Sequence, residues 1–307
     1  MIKNYIKING QIDSKTQEGA ALMLVLWVMI VLCAISAEFI YSMRTETKIV
    51  TNFKQETAAY YGANAGIELA KAEIKDPKTS LYRNSEDKIV NINKIFKRDG
   101  KIDDLEFIYQ ISDEDGKLNI NSATPQQLSQ LFANAGVPKD KSVEIIDSIL
   151  DWIDSDNMHR INGAEEDYYL SLKEPYSCKD GTIDTIDELL LVKSMTRQIL
   201  YGDPDNPDIK GIAQFITTQD VKKININTAD KSVMASVFGA EVVRDILAKR
   251  LNGPITAPIQ GGAITSRIFT IMATGKQGKI RRTIKTIIEF KEDDYIVRYW
   301  NDNWLEG

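Results

Sequence analysis

Histidine occurs once in the 307 residues, at His159, and cysteine twice, at Cys33 and Cys178. One histidine leaves histidine-based triads and zinc sites almost nothing to work with. Cys33 lies inside an apolar run and Cys178 far outside it, so no disulfide framework is expected. The soluble part must then be held by its core or by metal, and Cys178 reads as a small buried side chain. P-loop and dinucleotide glycine motifs are missing, and Gly261-Gly262 reads as a turn. Positive charge is also in deficit. The net charge of −6 argues against bulk nucleic-acid binding, which needs a basic surface to displace counterions. Carboxylates are numerous enough to imitate a hydrolase pair, but they cluster on one loop beside like charges without aromatic interleaving. No catalytic residue and no small-molecule substrate are expected.

Charge is absent altogether from Gly19 to Ala37, and the first proline is Pro77. An apolar helix of about 20 residues spans a bilayer core. A secretory signal peptide would have a shorter apolar region followed by a small-x-small cleavage site, whereas here a polar leader comes first and Gly19 sits at the boundary. From Glu38 to Ile74 helix formers continue, with Ala58, Ala59, Ala63, Ala65, Ala70 and Ala72 among polar residues. Asp76-Pro77 then ends the helix. The expected stem is roughly 55 residues and ~80 Å long, apolar all round at first and amphipathic afterwards.

A short polar leader (1–19), a boundary glycine and this stem resemble the substrates of prepilin peptidase, the type IV pilins and type II secretion pseudopilins. The resemblance implies cleavage after Gly19, methylation of Ala20, a membrane and stem segment over 20–41 in the bacterial inner membrane, and a periplasmic head. Most such proteins carry a glutamate five residues after the cut, held to neutralise a neighbour's N-terminal ammonium. Leu24 stands there in this chain. Because a charge in hydrocarbon needs its counter-ion, a subunit with leucine suits the end of a filament better than its body.

Beyond the stem, residues 78–100 are polar and irregular. Glu106–Ser112 reads as a strand, Asp113–Gly116 as a turn and Lys117–Asn121 as a second strand. Residues 122–213 read as helical, with loops around 155–166, 173–183 and 202–210. Strands are expected at 214–218 and 222–227 and a helix over 230–250. A hairpin of 266–274 with 279–290 follows, turning at Gly275–Gly278, and then a strand at 295–300. The fold class is α+β, a long N-terminal helix on an antiparallel sheet with a large helical insertion. In domains this gives 42–121 and 214–307 as the two parts of the head and 122–213 as the insertion.

The sequence echoes itself. Lys117-Leu-Asn-Ile-Asn-Ser-Ala123 matches Lys223-Ile-Asn-Ile-Asn-Thr-Ala229. Each copy leads into a helix start, with Thr124 and Asp230 as N-caps. Pro125 suits the first helical position, and Gln127 is placed to close a capping box with Thr124. Such stretches also open helix-hairpin-helix DNA-binding units, and Ala135-Gly-Val-Pro138 continues the likeness. DNA binding would need cations for phosphate, yet residues 113–190 hold 17 acidic and 6 basic residues, a net −11. A structural capping role is the better reading.

The densest chemistry lies in 151–169. Asp151, Asp154 and Asp156 end a helix, where carboxylates oppose the macrodipole and crowd one another, and Glu165, Glu166 and Asp167 follow one loop later. A hard cation relieves both problems, and calcium takes six to eight oxygens from such flexible loops. With Asp154 as position one, Asp156 is three and Glu165 twelve, as in an EF-hand, but His159 stands where that loop needs glycine. Asp113, Glu114 and Asp115 form a second candidate group. A solvated acidic surface remains the alternative.

Asp151-Trp-Ile-Asp-Ser-Asp156, Asn162-Gly-Ala-Glu-Glu-Asp-Tyr-Tyr169, Ile186-Asp-Glu-Leu-Leu-Leu-Val-Lys193 and the repeated Leu/Ile-Asn-Ile-Asn stretches together resemble type II secretion protein K, the large minor pseudopilin. The resemblance implies a pseudopilin sheet with an inserted helical domain of the SAM-like or helix-hairpin-helix kind. It also implies bound calcium in that domain, a place at the pseudopilus tip, and other minor and major pseudopilins as partners. Asp154, Asp156, Glu165 and Glu166, with Asp151, are the expected ligands. A minor pilin of a type IV pilus, for adhesion or pilus initiation, is the alternative.

Overall fold

The computed structural model describes residues 14–75, 81–83, 89–91, 98–291 and 294–304, with side chains for 19–74, 98–291 and 294–304. Most of the expected leader lies outside these residues. The chain divides into two units on either side of Thr57. The first holds most of helix α1 (Ser14–Lys75), whose apolar side chains from Leu22 to Val50 are exposed. It is long and apolar enough to cross a membrane. Gly19, Ala20 and Leu24 lie on this helix. The helix ends at Lys75, one residue before Asp76-Pro77.

The second unit begins with the last turns of α1. Ala59, Ala63, Ile67 and Ala70 are buried on one face, the spacing of a helical stripe. They rest on a five-stranded antiparallel sheet in the order β3 (Asp99–Ile102), β4 (Leu105–Asp113), β7 (Ile268–Gln277), β8 (Ile280–Lys291), β9 (Asp294–Asn301). A short hairpin, β1 (Leu81–Arg83) with β2 (Ile89–Asn91), precedes it. The small residues of the stem are explained by closeness. A Cβ on Gly275 of β7 would lie 1.9 Å from the Ala59 carbonyl, and one on Gly66 would lie 3.0 Å from Ala273 Cβ. Tyr109, Ile111, Phe269, Ile271, Ile284 and Ile288 complete this core. At its edge the buried Glu73 accepts from Arg98 (2.6 Å) and from the Tyr109 hydroxyl (3.0 Å).

β4 and β7 are sheet neighbours, so everything between Asp113 and Ile268 is inserted topologically. This stretch builds a larger core running from Leu118 to Ile246. Its helices are α2 (Pro125–Asn134), α3 (Lys139–Ile153), α4 (Glu166–Leu170), a 3-10 turn (Ile186–Leu191), α5 (Arg197–Tyr201), α6 (Lys231–Val237) and α7 (Ala240–Arg250). The core takes in α6 and α7, which follow the expected 122–213. α2 opens on the capping box of Thr124 and Gln127 with Pro125 in its first turn, and Asp230 caps α6 through the Ser232 N–H.

Five expected elements differ. Lys117–Asn121 and 214–218 shrink to two residues each, β5 (Leu118–Asn119) and β6 (Ile216–Thr217), paired parallel and apart from the main sheet. Residues 222–227 form no strand. The reason lies in the asparagines. Asn119 Oδ1 accepts from the Asn121 N–H and Asn225 Oδ1 from the Asn227 N–H, each a local turn that competes with strand pairing. Asn121 then holds both the N–H (2.7 Å) and C=O (3.0 Å) of Ile183, and Asn227 holds the same groups of Ile255 at 2.7 and 3.0 Å. The sequence echo is therefore a structural repeat with the same clamp in each copy. The expected helix over 230–250 breaks at Phe238-Gly239 into α6 and α7. The hairpin turns at Gly278-Lys279, with Gly278 at φ 60°, and β7 continues through Gly275 to Gln277 because its pairing with β8 persists to Gln277–Ile280.

Candidate metal centre

α3 ends at Ile153 with Asp154 extended as its C-cap. Asp151, in the last helical turn, is fully buried, where a carboxylate opposes the helix dipole. Arg160 answers it. Its guanidinium reaches Asp151 Oδ1 at 2.5 Å and Asp154 Oδ2 at 2.7 Å, and its backbone N–H donates to Asp151 Oδ2 at 3.1 Å. Gly163 is required beside this pair, because a Cβ there would lie 1.8 Å from Asp151 Oδ2. Trp152 and Tyr169 stack edge to face at 5.0 Å in the core beneath.

Of the five expected ligands, three come together. Asp154, Asp156 and Glu165 each offer a carboxylate oxygen, all within 4.8 Å of one another. They are positions one, three and twelve of the EF-hand count. Asp151 is committed to Arg160. Glu166 opens α4 and accepts from the Cys178 N–H at 2.6 Å, so it holds the irregular segment around Cys178 instead. Glu165 also groups with Cys178 and Asp180. Nothing in sequence pointed to Asp180, fifteen positions from Glu165 and reached only through the fold.

Among the described residues, both Glu165 oxygens and Asp154 Oδ1 are buried without an aligned hydrogen-bond donor, and the Cys178 thiol is a weak donor beside Glu165. Burial, and then the charges of Asp151, Asp154 and Asp180, push the Glu165 carboxyl up to about 7. Burial likewise pushes the Cys178 thiol up to about 12. Orphaned buried carboxylates are rare and need a partner. The available set is mostly hard oxygen, with one protonated thiol and no histidine, which fits calcium rather than zinc.

The second acidic group is not built that way. Asp113 Oδ2 accepts from Thr228 Oγ1 (2.5 Å), Asn225 Nδ2 (3.3 Å) and the Ser266 hydroxyl. Glu114 meets Lys117 and Thr217 at 2.6 Å each and Thr270 at 2.8 Å. Asp115 accepts from the Arg267 and Ile268 N–H groups. These three stitch the entry of the insertion to its exit. Burial lifts Asp113 to about 7. At Glu114 burial acts upward too, but Lys117 and the two threonines outweigh it and hold the carboxyl low.

The hairpin turn between α2 and α3 is also committed. The Gly136 and Val137 N–H groups donate to Ala133 and Phe132, and the loop at Asp208 lies so close that a Cβ on Gly136 would fall 1.9 Å from its carbonyl. These amides do not face a phosphate.

Residues 90–201, which hold the acidic loop and its supports, match the family model for type II secretion system (T2SS), protein K. The chain resembles type II secretion system protein K. It is 24% identical over 200 residues to the putative type II secretion system protein K of Escherichia coli K12, a match covering 60% of this chain and 59% of that protein. It is 26% identical over 248 residues to type II secretion system protein K of Pectobacterium carotovorum subsp. carotovorum, covering 72% of this chain and 70% of the relative. A chain in the crystal structure of the GspK-GspI-GspJ complex from enterotoxigenic E. coli shares the fold. The TM-score is 0.61 at 17% identity, over 85% of this chain and all of the other. The long helix and antiparallel sheet, expected from sequence, are thus shared with a solved protein.

Proposed function

We propose that this protein is a minor pseudopilin of a type II secretion system and caps the pseudopilus tip. It is cut after Gly19, methylated on Ala20, and held in the inner membrane by α1 with its head in the periplasm until it joins the filament. The observation that carries this reading is the match over 90–201, which covers β3, β4 and the first part of the insertion between β4 and β7, on a sheet packed against the last turns of α1. Its work is assembly rather than catalysis. The exposed apolar surface of α1 is suited first to lipid and then to neighbouring stems, and Leu24 leaves the next ammonium unpaired, which suits a final subunit. Its partners are other minor pseudopilins, as in the GspK-GspI-GspJ complex, the major pseudopilin and the prepilin peptidase.

Calcium at Asp154, Asp156 and Glu165, with Asp180 within reach of Glu165, is part of the proposal. It fixes the loop that joins α3 to α4. Crosslinking in membranes followed by purification tests the assembly role. Recovery with secretion pseudopilins is expected, and recovery with type IV pilus subunits alone would transfer the protein to that system.

A further inference from the structure

Met158 and Ile161 are 78% and 97% exposed. Isolated apolar residues on a surface are ordinary; what sets these apart is how firmly the chain around them is held. Arg160, before Ile161, is pinned by Asp151 and Asp154 through both backbone and side chain. Asn162, after it, gives its N–H (3.2 Å) and its side-chain amide (2.9 Å) to Asp147. The Asn162 and Gly163 carbonyls accept from Lys193 at 3.2 and 3.1 Å. The Met158 N–H is held by Asp156 at 2.9 Å. A dense set of charged hydrogen bonds thus presents two apolar side chains to water, the arrangement of an anchor whose ordering cost is met before binding.

We propose that Met158 and Ile161 form a rigid apolar prong that inserts into an apolar pocket with a cationic rim on a partner protein. The charge of the rim follows from the loop. Its cations are spent, Arg160 on Asp151 and Asp154, Lys193 on loop carbonyls and Glu144, whereas Asp167, outside the proposed calcium site, is exposed and Asp147 is half-exposed. A basic rim complements that field. Anionic lipid headgroups do not, so a membrane is the poorer fit.

The test rests on the pseudopilin reading for one of its two arms. In the first, a photo-crosslinking residue replaces Ile161 in the full chain in its native host. A discrete protein adduct is expected, its mapped peptide apolar and flanked by Lys or Arg. No adduct, an acidic peptide or a lipid adduct overturns the proposal. In the second, Met158→Ser with Ile161→Ser is compared with wild type in a strain lacking the gene. Melting temperature is expected to be unchanged and secretion to fall about tenfold or more, as for loss of a binding hot spot. Secretion at the wild-type level overturns the prong. Failure of the wild-type gene itself to restore secretion counts against the pseudopilin reading, while the crosslink still reports on the prong.

Discussion

Glu165→Gln should reverse the sign of its effect on stability when calcium is removed. In the calcium-free protein Glu165 is buried beside Asp151, Asp154 and Asp180, with its carboxyl raised to about 7 from an ordinary value near 4.5. A raised carboxyl binds its proton more tightly in the folded state. The folded state is therefore favoured below pH ~4.5, and that advantage is lost as pH rises through ~7. The interval corresponds to about 3 kcal/mol at 1.36 kcal/mol per unit. Solvent reaching the site past the exposed Asp156 reduces it to roughly 2 kcal/mol at pH 8. The amide carries no charge, so the calcium-free variant should be as stable as wild type or more stable. With calcium at about a hundred times its dissociation constant, binding stabilises wild type by ~2.7 kcal/mol. For a unit of this size that is about 5–10 °C in melting temperature, and the variant should lose most of it. Thermal melts of the full chain in detergent, with chelator and with calcium, give all four values. A variant that is destabilised equally in both conditions, or a wild type indifferent to chelator and free of metal by elemental analysis, would refute the reasoning.

Three further outcomes follow from the same structure. Gly275→Ala should destabilise the head by about 1–3 kcal/mol, the usual cost of overpacking, because the new Cβ meets the α1 backbone at 1.9 Å; chemical denaturation measures it. Glu73→Gln leaves Arg98 without its carboxylate and should cost about 2–4 kcal/mol, toward the lower part of the range for a broken buried pair because Arg98 is partly exposed. Gly163→Ala should weaken calcium binding through the loop, since its Cβ would strike Asp151; calorimetry should find lower affinity, and wild-type affinity would count against the loop's role.

Much of this was legible in the sequence where the signal is local. The unbroken apolar run fixed the stem, the capping box fixed the start of α2, and the acidic run contained Asp154, Asp156 and Glu165, though Asp151 and Glu166 were expected beside them. Illegible features depend on distant residues. Arg160 takes up Asp151, and the Cys178 N–H takes up Glu166, so neither joins the carboxylate cluster. Asp180 arrives beside Glu165 because the Cys178 N–H holds the irregular segment before it to Glu166 of α4. The three carboxylates at 113–115 look in sequence like a cation site, yet their donors come from Thr217, Asn225, Thr228, Ser266 and Thr270, up to 156 positions away. Leu/Ile-Asn-Ile-Asn alternates like a strand, but its asparagine side chains satisfy the backbone locally and leave little for a sheet.

The position of the chain in the filament tests the central claim most directly. Pseudopili assembled to excess length and labelled with an antibody to the head should carry the label at one end, with one copy of this chain for many of the major subunit by quantitative mass spectrometry. Labelling along the length, or copies comparable to the major subunit, would contradict a tip-capping role.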